Sequence, residues 1–380
     1  MRGFTTDSAA PGGLRLANDF AEPQPGPGEC VVEVRAFSIN YGETILLRER
    51  PDGWRPGQDV AGVVVSRAAD GSGPAEGSRV VAYLDWEGWA ERVPVPARAL
   101  AALDDRVSFE QAATLPVAGL TALRALREGG AILGRNVLVT GATGGVGQFA
   151  VQLARAAGAT VTAQVSSAPR EAEARELGAR HVVTTLQDPG LGPFHLVLDG
   201  VGGTALAQAV HLMAPGATLA AYGRVGNAAS QISISDFYRQ AWNARIVGFI
   251  SPVPEETKGE DLAILAALVA DGRLRPRIGL TLGWEQTAEA FAALSRREVR
   301  GKAVLTISGV SQLRGAALPA APSPAPPGMY CHSAHQRRPP YHPRECGIRA
   351  SAAAALSHAP SAWQKPSISP WLWHPMEKST

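Results

Sequence analysis

Residues 136–147 read NVLVTGATGGVG, and the fold turns on what this stretch forms. Asn136 to Thr140 is a short apolar, β-branched run of the kind that makes a buried strand, and Gln148 to Ala157 (QFAVQLARAA) carries apolar residues at helical spacing before Gly158 stops it. Gly141, Gly144, Gly145 and Gly147 lie between them. A strand that runs through a glycine-rich turn into a helix brings backbone N–H groups and the positive end of a helix dipole to one point. A pyrophosphate reaches that point only where side chains are missing. The spacing departs from G-x-G-x-x-G, since Ala142 stands where the first glycine would be, followed by Gly144 and Gly147. A glycine turn between a core strand and a core helix also occurs without a ligand, so the flanking sequence has to discriminate.

Downstream, Ala159 to Val165, His181 to Thr185 and His195 to Asp199 (HLVLD) read as further strands with helical or loop-length connections between them. This alternation predicts an α/β fold with a doubly wound parallel sheet. Gly200, Val201, Gly202 and Gly203 then form a second glycine turn at a strand's carboxyl end, where ligands of open α/β sheets bind. Ala217 to Tyr222, ending in Gly223, and Ile246 to Ile250 are a fifth and a sixth strand. The first hundred residues are different. Cys30 to Phe37, Asp59 to Ser66 and Ser78 to Tyr83 read as strands punctuated by Pro/Gly turns, and suit a partly open β-barrel. Ser108 to Arg127 reads as two helices on either side of Pro116. A helix over Asp261 to Asp271, a strand over Ile278 to Leu282, a helix over Trp284 to Leu294 and a strand over Lys302 to Ile307 would return the chain to the β-rich domain. The expected layout is residues 1–113 and 251–308 as one domain, 114–250 as an inserted cofactor domain, and 309–380 as a disordered tail.

Length and composition agree with this layout. A chain of 380 residues, 45% hydrophobic and 18% charged, is ordinary for a soluble two-domain protein. No apolar run reaches the roughly 20 residues of a membrane span. Met1 to Ala10 is polar, so a cytoplasmic protein is expected. Cys30, Cys331 and Cys346 are too dispersed for a disulfide framework or a four-cysteine zinc lobe. Residues 309–380 hold seven Arg/Lys against two acids, and the rest 29 against 32, so the body is about neutral and has no basic stripe for nucleic acid. The tail also holds twelve of 29 prolines and five of eight histidines. His332, His335 and His342 with Cys331 and Cys346 lack the compact spacing of a metal site.

From about Arg15 to Ile307 the chain resembles the medium-chain dehydrogenase/reductase superfamily and, within it, the zinc-independent quinone oxidoreductases. The segments that carry the resemblance are NYGET (Asn40 to Thr44), PGQDVAGVV (Pro56 to Val64), EQAATLPVAGLTAL (Glu110 to Leu123), VLVTGATGGVG (Val137 to Gly147), ELGA (Glu176 to Ala179), LDGVGG (Leu198 to Gly203) and GKAVL (Gly301 to Leu305). The resemblance implies a GroES-like barrel with an inserted Rossmann domain, NADPH as cofactor, a quinone or α,β-unsaturated carbonyl (enone or enoyl) substrate, and a homodimer. Zinc-dependent members use a Cys in the first segment and a His-Glu pair in the second. Here those places hold Tyr41 and Gly42, then Gln58 and Asp59, so no metal is expected. Short-chain dehydrogenases share the glycine pattern, but none of the six tyrosines has a lysine four residues later. Two alternatives stay open: an NADPH-binding protein of this fold with weak catalysis, and a zinc-dependent alcohol dehydrogenase.

By resemblance, Asn40 and Tyr41 lie at the cleft floor and polarise or position the substrate; otherwise they are a turn residue and a packing residue. Tyr83, Trp86 and Trp89 are candidates for the pocket wall or for the core. The pyrophosphate would lie on Ala142, Thr143, Gly144, Gly145, Val146 and Gly147. Nicotinamide contacts fall by resemblance on Thr121, Gly200, Val201, Tyr222, Gly223 and Phe249, with Lys302 near the return strand. In NAD-binding forms of this fold an acid about 20 residues past the glycine turn holds the ribose hydroxyls. Here Gln164, Val165, Ser166 and Ser167 occupy that place, followed by Arg170, and no carboxylate appears before Glu171. Ser166, Ser167 and Arg170 would instead receive a 2′-phosphate, unless the serines merely cap a helix and Arg170 is solvated. Resembling enzymes often place an aromatic residue beside this phosphate where Thr185 stands.

Overall fold

The computed structural model describes residues 1–308 except 189 and 251–255. The expectation for the tail, residues 309–380, therefore lies outside the described residues. Two sheets organise the described chain. β1 (Gly3–Thr6) and β2 (Leu14–Ala17) form an antiparallel pair of their own, and the first sheet is built from β3 (Glu29–Ile39), β4 (Asp59–Ser66), β5 (Arg79–Tyr83), β6 (Arg92–Pro96) and β7 (Leu100–Ala102). The parallel sheet follows as β8 (Asn136–Thr140), β9 (Thr160–Gln164), β10 (His181–Val183), β11 (Phe194–Asp199), β12 (Met213–Ala221) and β13 (Arg245–Gly248). Then β14 (Ile278–Gly283) and β15 (Lys302–Thr306) return to the first sheet, whose order is β14-β15-β3-β4-β5-β7 with β6 also on β3.

β3 is the spine of that sheet because alternate residues Val32, Val34 and Ala36 are buried in unbroken sequence with Phe37, Ile39 and the neighbouring strands. Its inner side packs an aromatic cluster: Phe37 stacks on Trp89 at 5.3 Å, and Phe4 meets Trp284 edge-on at 5.7 Å. Trp89 is thus a core residue and does not line a pocket, which corrects one of the two roles expected for it.

The parallel sheet runs in the order β10-β9-β8-β11-β12-β13. Chain direction reverses its progress between β8 and β11, and this switch point leaves a crevice at the carboxyl ends. The glycine turn after β8 and Gly200 to Gly203 after β11 flank it. The helices are α1 (Tyr41–Glu49), α2 (Phe109–Ala113), α3 (Leu120–Arg127), α4 (Gly147–Ala156), α5 (Glu171–Glu176), α6 (Gly203–Val210), α7 (Ile234–Arg239), α8 (Lys258–Ala270) and α9 (Thr287–Ser295); α3, α4, α5 and α6 pack on the parallel sheet, α2 and α9 on the first sheet, and α3, α4 and α8 share one core. Pro116 does not divide two helices cleanly. Leu115–Gly119 forms a π-turn between α2 and α3, a wider loop that absorbs the missing proline N–H without ending the helical path.

Two polar braces tie the segment after β13 to α3 and α4 of the parallel-sheet region. Gln148 accepts from Arg277 N and donates to its carbonyl at 3.0 Å, and Gln152 does the same with Arg275. Asp261 on α8 accepts from Arg124 at 2.7 Å and from Arg127 at 2.6 Å. Among the described residues no helix is long and apolar enough to cross a membrane.

Asp261 and Arg124 are both buried, so deleting the carboxylate leaves guanidinium charge in a low-dielectric site. Asp261→Ala is expected to lose about 3 kcal/mol of unfolding free energy, measured by urea denaturation at neutral pH. A loss below about 1 kcal/mol, the usual value of a surface pair, would show that this brace is not holding α8 to α3.

Candidate active site

Strand register creates the polar centre of the cleft. β15 pairs with β3 so that Ala303 faces Ile39 and Val304 faces Ser38, and β3 pairs with β4 so that Ser38 faces Asp59. With side chains alternating along each strand, Ser38, Asn40, Asp59 and Lys302 meet on one face. Lys302 Nζ donates to Asn40 Oδ1 (2.5 Å), Ile39 O (3.1 Å) and Asp59 Oδ2 (3.3 Å). Asp59 Oδ2 also accepts from Ser38 Oγ (2.5 Å) and Asn40 Nδ2 (2.9 Å), while Oδ1 accepts from the Val117 N–H of the π-turn (2.8 Å). Lys302 and Asp59 are 2% and 0% exposed. The lysine is therefore no solvated surface charge, and three acceptors use its three N–H groups.

Asn40 also precedes α1 as its N-cap residue, and its backbone N–H donates to Glu43 Oε2 at 2.7 Å. Glu43 is buried, and its Oε1 has no partner. Burial, with the Asp59 charge adding to it, pushes the Glu43 carboxyl up to about 8, so it is neutral at pH 7. Tyr41, by contrast, is 37% exposed and stands at the first position of α1. Gln58 donates to the Tyr83 hydroxyl at 2.8 Å. Burial raises the Tyr83 hydroxyl above its usual range. Trp86 packs edge-on against Trp54 at 4.9 Å.

The glycine turn lies next to this cluster. A Cβ at Gly145 would sit 3.4 Å from Lys302 Cδ, so one lysine side chain spans the distance from the turn to Asn40. The N–H groups of Gly145, Val146 and Gly147 have no acceptor among the described residues; such open donors at the start of α4 suit a pyrophosphate. Gly147 serves the chain itself, because a Cβ there would come within 2.8 Å of Ala142 Cα. At Gly144 the tightest contact of a Cβ is the Gly141 carbonyl at 3.1 Å, which leaves that side of the turn to a ligand. Ala142 is buried beneath the turn, and Thr143 is buried with it.

Apart from Thr121 in α3, the remaining predicted residues follow the carboxyl ends of strands of the parallel sheet. At the end of β9, Ser166 and Ser167 are exposed, and the Ser167 side chain caps no helix. Arg170 is half-buried and donates to Thr143 Oγ1 and to Arg297 O, each at 3.2 Å. Thr185 is exposed at the end of β10. After β11, Asp199 accepts from Thr140 Oγ1 (2.5 Å) and from Gly202 N (2.9 Å), which shapes the Gly200–Val201 turn, and burial raises its carboxyl above the usual range. Tyr222 covers Gly200, where a Cβ would come within 2.7 Å of its ring, and a Cβ at Gly223 would strike the Gly200 carbonyl at 2.6 Å. Phe249 packs half-buried on the core beyond β13. Thr121 is buried in α3, and its hydroxyl donates to Val117 O at 2.6 Å.

Three participants were not anticipated. Asp59 and Glu43 were treated as sequence context, and Arg297, in the loop after α9, reaches Val225 O at 3.1 Å across the crevice mouth. The Asn-x-x-Glu spacing of Asn40 and Glu43 is a helix-start pattern visible in the sequence. His181 and His211 are exposed, and His195 accepts weakly from Asn136 N. Among the described residues no three His, Cys, Asp or Glu side chains are grouped as a metal site.

A family model described as zinc-binding dehydrogenase matches residues 145–267. The synaptic vesicle membrane protein VAT-1 homologue of Rattus norvegicus is 27% identical over 314 residues, covering 74% of this chain and 78% of that one. The quinone oxidoreductase of Coxiella burnetii matches with a TM-score of 0.68 at 26% identity, over 81% of this chain and 99% of that one. The chain belongs to the medium-chain dehydrogenase/reductase superfamily. Within this superfamily its likeness runs to the quinone oxidoreductases, and a mycobacterial protein solved with NADPH matches at a TM-score of 0.71 and 25% identity, over 80% of this chain and 100% of that one.

Glu43 gives a pH signature. Its folded pKa lies above the ordinary value of 4.5, so the folded state holds a proton that the unfolded state releases between about 4.5 and 8. Its contribution is complete below that interval and is lost as pH rises through it. Relative to Glu43→Gln, which stays neutral, the parent should lose of order a few kcal/mol in unfolding free energy between pH 5 and pH 8.5. Parallel urea titrations measure this, and a difference between the two proteins that does not change with pH would mean that Glu43 is ionised throughout.

Proposed function

We propose that this chain is an NADPH-dependent reductase that delivers hydride to a quinone or an α,β-unsaturated carbonyl without a metal ion. The observation that carries this is the Lys302 side chain, which runs beside Gly145 and ends on Asn40. It sets a dinucleotide cradle and a buried polar centre within one side chain of each other. NADPH, when bound, would supply the hydride. Gly144, Gly145, Val146 and Gly147 with the adjoining Ala142 and Thr143 would hold its pyrophosphate, and Gly200, Val201, Tyr222, Gly223, Thr121 and Phe249 would border its nicotinamide half. Asn40 would meet the substrate oxygen, where charge collects in the transition state. Tyr41, at the exposed start of α1, would help to position the substrate. Protons would come from water.

The residues that stand in place of zinc ligands are already committed. Gln58 is bonded to Tyr83, and Asp59 is neutralised by Lys302. Tyr41 and Gly42 supply no thiolate. A homodimer belongs to the same proposal, supported by exposed Ile234, Tyr238, Trp242 and Ile246 beside the free edge of β13. Light scattering that gives the mass of one chain at micromolar concentration would remove it.

Ser166, Ser167 and Arg170 would receive the 2′-phosphate, with Arg170 giving charge and a planar donor pair. The expected result is a higher kcat/KM for NADPH than for NADH with a small quinone, and a preference about tenfold smaller in Arg170→Ala. Equal use of the two cofactors by the parent, or an unchanged preference in the variant, would contradict this assignment.

A further inference from the structure

The two ends of an asparagine carboxamide have nearly the same shape, and hydrogen-bond partners decide which end is nitrogen. At Asn40 they leave one answer. Lysine has donors and no acceptor, and an ionised aspartate has acceptors and no donor. Oδ1 therefore faces Lys302 Nζ at 2.5 Å, and Nδ2 faces Asp59 Oδ2 at 2.9 Å. Rotating the amide by half a turn would set N–H against ammonium and oxygen against carboxylate. Both partners are held in turn: Asp59 by Ser38 Oγ and Val117 N, Lys302 by Ile39 O. Among the described residues the second Nδ2 hydrogen of half-buried Asn40 has no acceptor.

We infer that Asp59 and Lys302 are positioning residues that lock the Asn40 carboxamide so that its remaining N–H donates to the substrate oxygen. This rests on the hydride-transfer function proposed above and gives it a direction. A carbonyl or quinone oxygen, which only accepts, fits the locked donor; an alcohol that must give up its hydroxyl proton finds no acceptor there. With the hydride that bound NADPH would supply to the β-carbon of an enone, becoming NADP⁺, the C=C π pair would shift toward oxygen. Asn40 would donate its hydrogen bond to that negative oxygen while water gave a proton to the α-carbon. The donor is thus aimed where charge develops and needs no reorientation during reaction.

The test is a double-mutant cycle on the full chain with Asn40→Ala, Asp59→Asn and the pair, assayed with NADPH and a small enone, with NADPH Kd from tryptophan fluorescence. Asn40→Ala and Asp59→Asn are each expected to lower kcat about 30- to 100-fold, with NADPH Kd changed less than about threefold. The double variant should be no slower than Asn40→Ala, because Asp59 acts through Asn40. Unchanged kcat in Asp59→Asn, or losses that multiply in the pair, would overturn the inference. If Asp59→Asn does not unfold cooperatively, the same cycle with Lys302→Met replaces it, with the same two outcomes. If the parent turns over no enone or quinone, the functional proposal fails by itself. The lock is then read from nitrogen-15 spectra of the cofactor-free protein: a slowly exchanging Asn40 side-chain amide that becomes fast in Asp59→Asn supports it, and fast exchange in the parent overturns it.

Discussion

A buried ion pair between Lys302 and Asp59 constrains the cleft from both sides. Taking two charges out of water costs several kcal/mol each, and their mutual attraction offsets that only when every remaining donor and acceptor is satisfied. The protein meets the condition with partners from distant parts of the chain: Ser38 and Asn40 at the end of β3, the Ile39 carbonyl, and the Val117 N–H of the π-turn. Each of these groups has its place because the pair needs it. The π-turn after α2 is an example, since a regular helix through Pro116 would not present this N–H to Asp59 in the same way. Glu43 follows from the same economy of charge. With Asp59 already using the single ammonium, a second carboxylate nearby keeps its proton.

The glycine turns depend on a different constraint, the absence of side chains. Gly147 lacks one because the turn closes on Ala142, and Gly223 because it closes on Gly200. Gly144 is freer, and among the described residues the N–H groups that follow it have no acceptor. Arg170 and Arg297 reach in from two loops, to Thr143 and to Val225. Lys302 joins the two regions, its methylenes against the glycine turn and its ammonium in the polar centre. Under the proposed function this would hold cofactor and substrate to one geometry, the kind of fixed approach from which hydride transfer gains most.

Much of the fold was legible in the sequence because periodicity and glycine turns are local signals. The strands β8, β9, β11 and β12 and the helix α4 sit close to where the apolar pattern places them. The polar centre was not legible as a unit. Lys302 and Ile39 are 263 positions apart, and only the register of β15 on β3 and of β3 on β4 brings Lys302, Asn40 and Asp59 together. Asn40 and Lys302 were singled out through family resemblance, but with separate roles, one for substrate and one for cofactor. Trp89 shows the opposite limit: an aromatic residue near a predicted cleft has the same signature in a wall as in a core, and packing against Phe37 decides it. Arg297 was hidden because it sits in a loop at positive φ, where sequence patterns carry little information.

In the proposed function the cleft passes hydride directly from NADPH to an electron-poor carbon. Mass spectrometry of the product formed from a small enone and NADPH deuterated at C4 on the transferred face, in chelator-treated buffer, tests this most directly. The expected product carries one deuterium at the β-carbon and appears in proportion to the NADPH consumed. A product without deuterium, or turnover that requires added zinc, would contradict it.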